Sequence, residues 1–200
     1  MVDRVLVVAA HPDDWEVGAV GQLARAAHRF VLVASRGERG GPGPVRVREA
    51  NAARALLQAE GRVLFHKDTA IASARLAPEV EAMIRDVQPQ LIVTHSPNDA
   101  HQDHVAVSAA VLIAVREWYG TVLGFWTPSA AERFRPNWYI GLPPETMALK
   151  LAAVACHKSQ AGRPYLAPAY LESAGRYWAQ VTRSTAPFVE PYELLRHREP

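Results

Sequence analysis

The chain reads as an α/β protein built on a mainly parallel sheet, with its ligand site at the carboxyl ends of the strands. Three observations predict this. Short apolar, β-rich runs alternate with longer stretches of helical period. The first two runs flank one helical stretch, which makes a βαβ unit and therefore a parallel pair. Two clusters of histidine and aspartate, His11 to Asp14 and His101 to His104, each fall just past the end of such a run, where open α/β sheets bind ligands.

Taken in order, Arg4 to Ala9 is the first strand and Phe30 to Ala34 the second, while Gly18 to His28 carries apolar residues at helical spacing. Val45 to Glu60 is an Ala/Leu/Arg helix ended by Gly61, and Arg62 to Phe65 is a brief strand. Pro78 opens a helix to about Val87, since proline suits a first helical turn. Leu91 to Thr94 is the next strand. It feeds a loop with His95, Pro97 and Asp99, and then a helix from about Gln102 to Trp118 with the repeat Val105, Ala109, Leu112 and Arg116. Thr127 to Pro144 is rich in proline and aromatics, and Glu145 to His157 and Pro168 to Gln180 are helical. No repeat or linker interrupts the pattern, so residues 1–200 are expected to form one domain, a Rossmann-like three-layer sandwich.

Composition narrows the function classes. Two hundred residues, 49% hydrophobic and 21% charged, suit a packed core and exclude a disordered or fibrous chain. The single cysteine, Cys156, cannot form an internal disulfide, and the apolar run from Val5 to Ala10 is too short for a signal peptide or a membrane span, so a cytoplasmic protein without membrane partner is expected. The 22 basic residues are scattered among 20 acidic ones, which leaves no footprint for nucleic acid.

The clusters carry the chemistry. His11 and Asp14, three apart on a turn shaped by Pro12, can reach one metal, and His104 completes a His/Asp/His set with a position open for water. Zinc lowers the pKa of bound water from about 15.7 to about 7, and another divalent ion is the alternative to it. Asp13, adjacent to a ligand, is placed to be the general base; His101, one helical turn from His104, to stabilise an oxyanion; Asp103 to orient a histidine through its other ring nitrogen. The chemistry is hydrolysis of an acyl bond. Taken alone, each cluster has a plainer reading: His-x-x-His arises by chance on helices, and Asp-Asp after proline forms turns and caps. Their conjunction at two strand ends favours the metal. His28, His66, His95 and His197 have no such partners in sequence and read as surface or satisfied polar residues.

The motif Ala10-His11-Pro12-Asp13-Asp14 continues through Glu16, Gly18 and Gly21, and is followed by the Gly-containing stretch Ser35 to Gly40, the helical set Arg46, Glu49, Ala53 and Leu57, and Asp68. Pro97 to His104 and the set Lys150, Ala153, His157, Ser159 and Gln160 complete the series. In this order, over residues 4 to 160, the chain resembles the PIG-L/LmbE-like family of zinc-dependent N-deacetylases that act on N-acetylglucosamine-containing compounds. The resemblance implies zinc on His11, Asp14 and His104, Asp13 as base, His101 as electrostatic catalyst, and Arg46 and Asp68 as holders of substrate hydroxyls or an attached anionic group.

Several positions keep two readings. Arg46 can instead pair with Glu49 on the helix surface, Asp68 can be a turn residue, and His157 and Gln160 can cap a helix. Trp126, Trp138 and Tyr139 can stack on a sugar ring or pack in the core, and Gly141 stands where many relatives place an acidic residue. The expected function is removal of an N-acetyl group from an amino sugar, glycoconjugate or related small molecule. A thiol-conjugate amidase of the same family is the enzymatic alternative. The other is a catalytically silent sugar- or phosphate-binding protein using Gly37 to Gly43, although no P-loop lysine follows those glycines. A homo-oligomer is left open.

Overall fold

The computed structural model describes residues 2–130 and 132–199. Seven strands form one sheet: β1 Arg4–Ala9, β2 His28–Ser35, β3 Glu60–His66, β4 Leu91–His95, β5 Gly120–Phe125, β6 Trp138–Leu142 and β7 Phe188–Arg198. Their order is β3-β2-β1-β4-β5-β7-β6. The first five named run parallel, with Val7 of β1 opposite Val31 on one side and Val93 on the other. β7 lies antiparallel to both β5 and β6.

β1 is apolar on both faces because both faces are covered. Val5, Val7 and Ala9 pack with Trp15, Leu23, Ala53 and Ala153, from α1 Trp15–Gly18, α2 Val20–Arg25, α3 Gly43–Leu56 and α6 Pro144–Ala155. Leu6 and Val8 pack on the other side with Leu76, Val80 and Met83 of α4 Ser73–Val87 and with Val107 and Val111 of α5 Gln102–Ala114. α7 Pro168–Val181 lies on β7. The expected three-layer sandwich is therefore observed, and each fully buried Leu or Val contributes about 1.5–3 kcal/mol.

This topology positions the site. From β1 the chain moves outward to β2 and β3, then returns to place β4 on the other flank of β1. Crevices open at such switch points, outside the carboxyl ends of the strands. β1 and β4 end there in Ala9 and His95, so the two His/Asp clusters emerge side by side.

Three helices and three strands differ from expectation. The helix over Gly18 to His28 is two short helices, because the backbone leaves the helical region at Ala19 (φ −128°, ψ 0°); Gly18 beside it lets the Trp126 carbonyl oxygen approach to 2.6 Å of where a Cβ would stand. α4 begins at Ser73 with Pro78 inside it; Arg75 and Leu76 already donate to the Ala72 carbonyl, and the buried face from Leu76 to Ile84 outweighs the amide that Pro78 lacks. α5 stops at Ala114, short of Trp118, and the chain turns at Gly120, whose φ of +144° disfavours any other residue. β5, β6 and β7 were not expected as strands. No helix of the described residues is long and apolar enough to cross a membrane.

Candidate active site

The turn after β1 folds its own carboxylate back. Asp14 Oδ2 accepts the His11 backbone N–H at 2.8 Å and lies 3.0 Å from His11 Nδ1. Fully buried Trp15 then pins the start of α1 beneath the turn. After β4, Asp99 organises the second cluster: Oδ1 accepts the His101 backbone N–H at 2.8 Å, and Oδ2 meets Thr127 Oγ1 at 2.6 Å and His104 Nδ1 at 2.9 Å. His101 caps α5, its Nδ1 accepting the Asp103 N–H at 3.2 Å. The loop is stapled from across the sheet by buried Glu193 of β7, which accepts from Ser96 Oγ at 2.5 Å, Asn98 Nδ2 at 3.1 Å and the Arg135 N–H at 2.7 Å.

The two clusters meet. Asp14 Oδ2 stands between His11 Nδ1, at 3.0 Å, and His104 Nε2, at 3.4 Å. Each imidazole has its other nitrogen on a carboxylate: His104 Nδ1 on Asp99, and His11 Nε2 on Asp103 at 3.2 Å and Asp68 at 3.3 Å. Such outer carboxylates fix the tautomer and orient the free nitrogen, which is how metal-binding histidines are held. Burial alone would lower the pKa of His104, but Asp14 and Asp99 carry it up to about 9; His11 is likewise raised, against burial, by Asp14, Asp103 and Asp68. The cluster draws in positive charge. Its N/O donors suit a divalent ion such as zinc, so the residues fit the metal that the motifs imply.

Two further histidines stand within reach of the same centre. Donor atoms of Asp14, His95 and His104, and of His11, His101 and His104, lie within 4.8 Å of one another. His95 was read as an ordinary polar residue; instead it is fully buried, accepts the Ala10 N–H on Nε2 at 2.9 Å, lies 3.3 Å from Asp14 and stacks on His104 at 3.9 Å. Burial and the neighbouring His104 hold its pKa near about 4, so the ring is neutral. Its signal in the sequence was its place as the residue ending β4. Asp99 was passed over too, although it lies five residues before His104.

A cavity of about 370 Å³ opens over this cluster, lined on its inner wall by His11, Asp13, Asp14, His101 and His104. Asp13 is held at Oδ1 by the guanidinium of Arg46, which also donates to the Gly37 carbonyl at 2.6 Å. The surface pairing of Arg46 with Glu49 does not occur: Arg46 is buried, and Glu49 takes the Ser159 backbone N–H and hydroxyl. Asp68 lines the cavity and bridges His11 to the Arg39 N–H. Asp103 is 1% exposed and does not line the cavity; besides His11 it holds the Thr69 and Ile71 amides, so it acts through His11. His101, with Nδ1 accepting, carries the proton of its neutral ring on Nε2. Burial, then His104 and His11, push its pKa below the usual histidine value.

The aromatics lie elsewhere. Trp126 stacks on Tyr170 at 6.2 Å, and Trp138 and Tyr139 border another cavity beside Leu91 and Thr121, at the amino ends of the parallel strands. Tyr165 is the aromatic that lines the active cavity. His157 is buried against Glu16, with Nε2 and Oε1 2.6 Å apart, and does not line this cavity. Gln160 donates to the Gly40 carbonyl at 3.0 Å, tying the turn after α6 to the Gly-containing loop.

The sequence matches the PIG-L family, described as GlcNAc-PI de-N-acetylase, over residues 6–115. It is 30% identical over 168 residues to the uncharacterized deacetylase YaiS of Escherichia coli (strain K12), which covers 78% of this chain and 90% of YaiS. The fold is similar to that of the N,N'-diacetylchitobiose deacetylase of Pyrococcus horikoshii, with a TM-score of 0.80 and 17% identity over 97% of this chain and 84% of that one. It is similar also to GalB, the 4-carboxy-2-hydroxymuconate hydratase of Pseudomonas putida KT2440, with a TM-score of 0.82 and 23% identity over 99% and 98% of the two chains.

Proposed function

The chain belongs to the PIG-L family of deacetylases, and from that premise we propose that it hydrolyses an N-acetyl amide on an amino sugar, glycoconjugate or related small molecule, releasing acetate and a free amine. The observation that carries the reading is the position of Asp14 between His11 Nδ1 and His104 Nε2, on the wall of a cavity that also presents Asp13. His11, Asp14 and His104 would hold the metal, taken to be zinc. When bound, zinc acidifies a water molecule and polarises the amide carbonyl.

The chain's own groups supply the rest. Arg46 occupies Asp13 Oδ1, which leaves the other carboxylate oxygen to take the proton of the attacking water and later return it to the departing amine. His101 donates its Nε2–H to the oxyanion that develops on the carbonyl oxygen, and the Asp103 amide holds that tautomer in advance. Asp103 and Asp68 keep His11 facing Asp14. GalB shares the fold, and water is the reactant in both chemistries; the family match favours amide hydrolysis over hydration. A thiol-conjugate amidase would use the same base and differ in cavity contacts.

The test is free-amine and acetate detection from zinc-replete protein across a panel of N-acetyl sugars and mercapturate-type amides. Turnover that a chelator abolishes and zinc restores is the expected result. No amine from any acetylated compound would overturn the reading.

A further inference from the structure

The outer wall of the cavity is basic, and two of its three arginines are uncommitted. Arg46 is neutralised by Asp13. Arg39 and Arg163 line the same cavity, and among the described residues neither has a carboxylate within 4.0 Å. The nearest acid in sequence, Glu38, is turned away to accept the Asp68 backbone N–H at 3.1 Å.

Arg163 is nevertheless aimed. Its Nε donates to Gln160 Oε1 at 2.6 Å and its Nη1 to the Tyr165 hydroxyl at 3.0 Å. Both acceptors are neutral, so the guanidinium is oriented while its charge stays uncancelled. Gln160 is itself buried and tied to Gly40. Nη2 has no partner among the described residues and lies 3.1 Å from where a Cβ on Gly40 would stand; Arg46 Nη1 lies 2.7 Å from the same point. Glycine at this position keeps the gap between two guanidiniums open. Arg39, whose backbone is fixed by Asp68 at 2.9 Å, adds a second uncommitted cation at the rim.

The cavity is thus polarised from end to end, with Asp14, Asp68 and Asp103 around the inner histidines and free guanidiniums at the mouth. The geometry points to an oxyanion subsite: Arg163 and Arg39 receive a carboxylate or phosphate carried by the substrate at the end remote from its amide, so the preferred substrate is an anionic acetylated small molecule. Planar guanidinium forks match such oxyanions with paired, charge-assisted hydrogen bonds. The anion site stands on the arginines alone; that an amide lies at the other end rests on the hydrolase reading.

Two measurements separate these. Calorimetry on the zinc-loaded protein compares glucose, glucose 1-phosphate, glucose 6-phosphate and glucuronate, none of which has an amide to cleave. The expected result is about tenfold tighter binding of at least one charged sugar than of glucose. Arg163→Gln with Arg39→Gln should reduce that preference to below about threefold, Arg163→Lys retaining part of it, and the better-bound arm identifies phosphate or carboxylate. Equal binding of charged and neutral sugars overturns the subsite, and so does a preference that survives the double substitution, since the anion would then sit on the metal. The second measurement is kcat/KM for N-acetylglucosamine against its 1- and 6-phosphates. Charge-selective binding without amine release from any substrate keeps the subsite and overturns hydrolysis; equal kcat/KM for all three keeps hydrolysis and overturns the subsite.

Discussion

Arg46 and Asp13 meet in the interior, a guanidinium from the first half of α3 closing on a carboxylate from the turn after β1, with 3% and 6% of the residues exposed. The pair fastens the proposed base to a helix 33 positions away in sequence. Breaking such a pair strands a buried charge. Arg46→Met should therefore lower stability by about 3–5 kcal/mol, read by urea denaturation; unchanged stability would mean that Asp13 finds another partner or water.

Asp13→Asn separates base from ligand. The variant should retain its metal, by elemental analysis of the purified protein, while turnover falls by about 10²–10⁴. Loss of metal together with turnover would assign Asp13 to the metal and not to the proton.

His104→Ala should strip the metal outright, and Asp99→Ala should weaken its retention by about 10–100-fold in competition with a chelator, because Asp99 sets the ring that offers Nε2. An Asp99 variant with unchanged affinity would show that stacking on His95 and His101 is enough to hold the ring.

Lys150 and Glu190 form a second buried pair, 2.8 Å apart, away from the active cavity, and Glu190 also takes the Gly21 amide and the Tyr192 hydroxyl. Lys150→Met should cost about 3–5 kcal/mol in stability and leave kcat/KM of the folded fraction near wild type. A large loss of kcat at a temperature where the variant is folded would place Lys150 in the reaction.

What could be read in advance was local or periodic. His11 and Asp14 share one turn and His101 and His104 one helical turn, so spacing alone placed each pair, and the parallel strands beneath them are short apolar runs. What escaped depends on distant chain. His95 is recruited by the Ala10 amide 85 positions earlier, and Arg46 chooses Asp13 over the nearby Glu49 because α3 turns that face inward. β6 shows an irregular burial pattern, with neighbouring Trp138 and Tyr139 44% and 39% exposed, so its strand character comes from pairing with β7 and not from its own composition. Trp138 and Tyr139, which suggested sugar stacking, lie off the cavity because β6 is the edge strand of the sheet, beyond β7.

Glu193 belongs to the antiparallel part of the sheet, which supplies none of the proposed ligands, yet it grips Ser96 from 97 positions further along the chain. The loop ahead of His101 and His104 is therefore braced from that margin as well as by Asp99 and by the Ala100 N–H on the Ser129 carbonyl. The antiparallel margin thus contributes to the catalyst without touching it, by bracing the stretch of chain from which His101 and His104 follow.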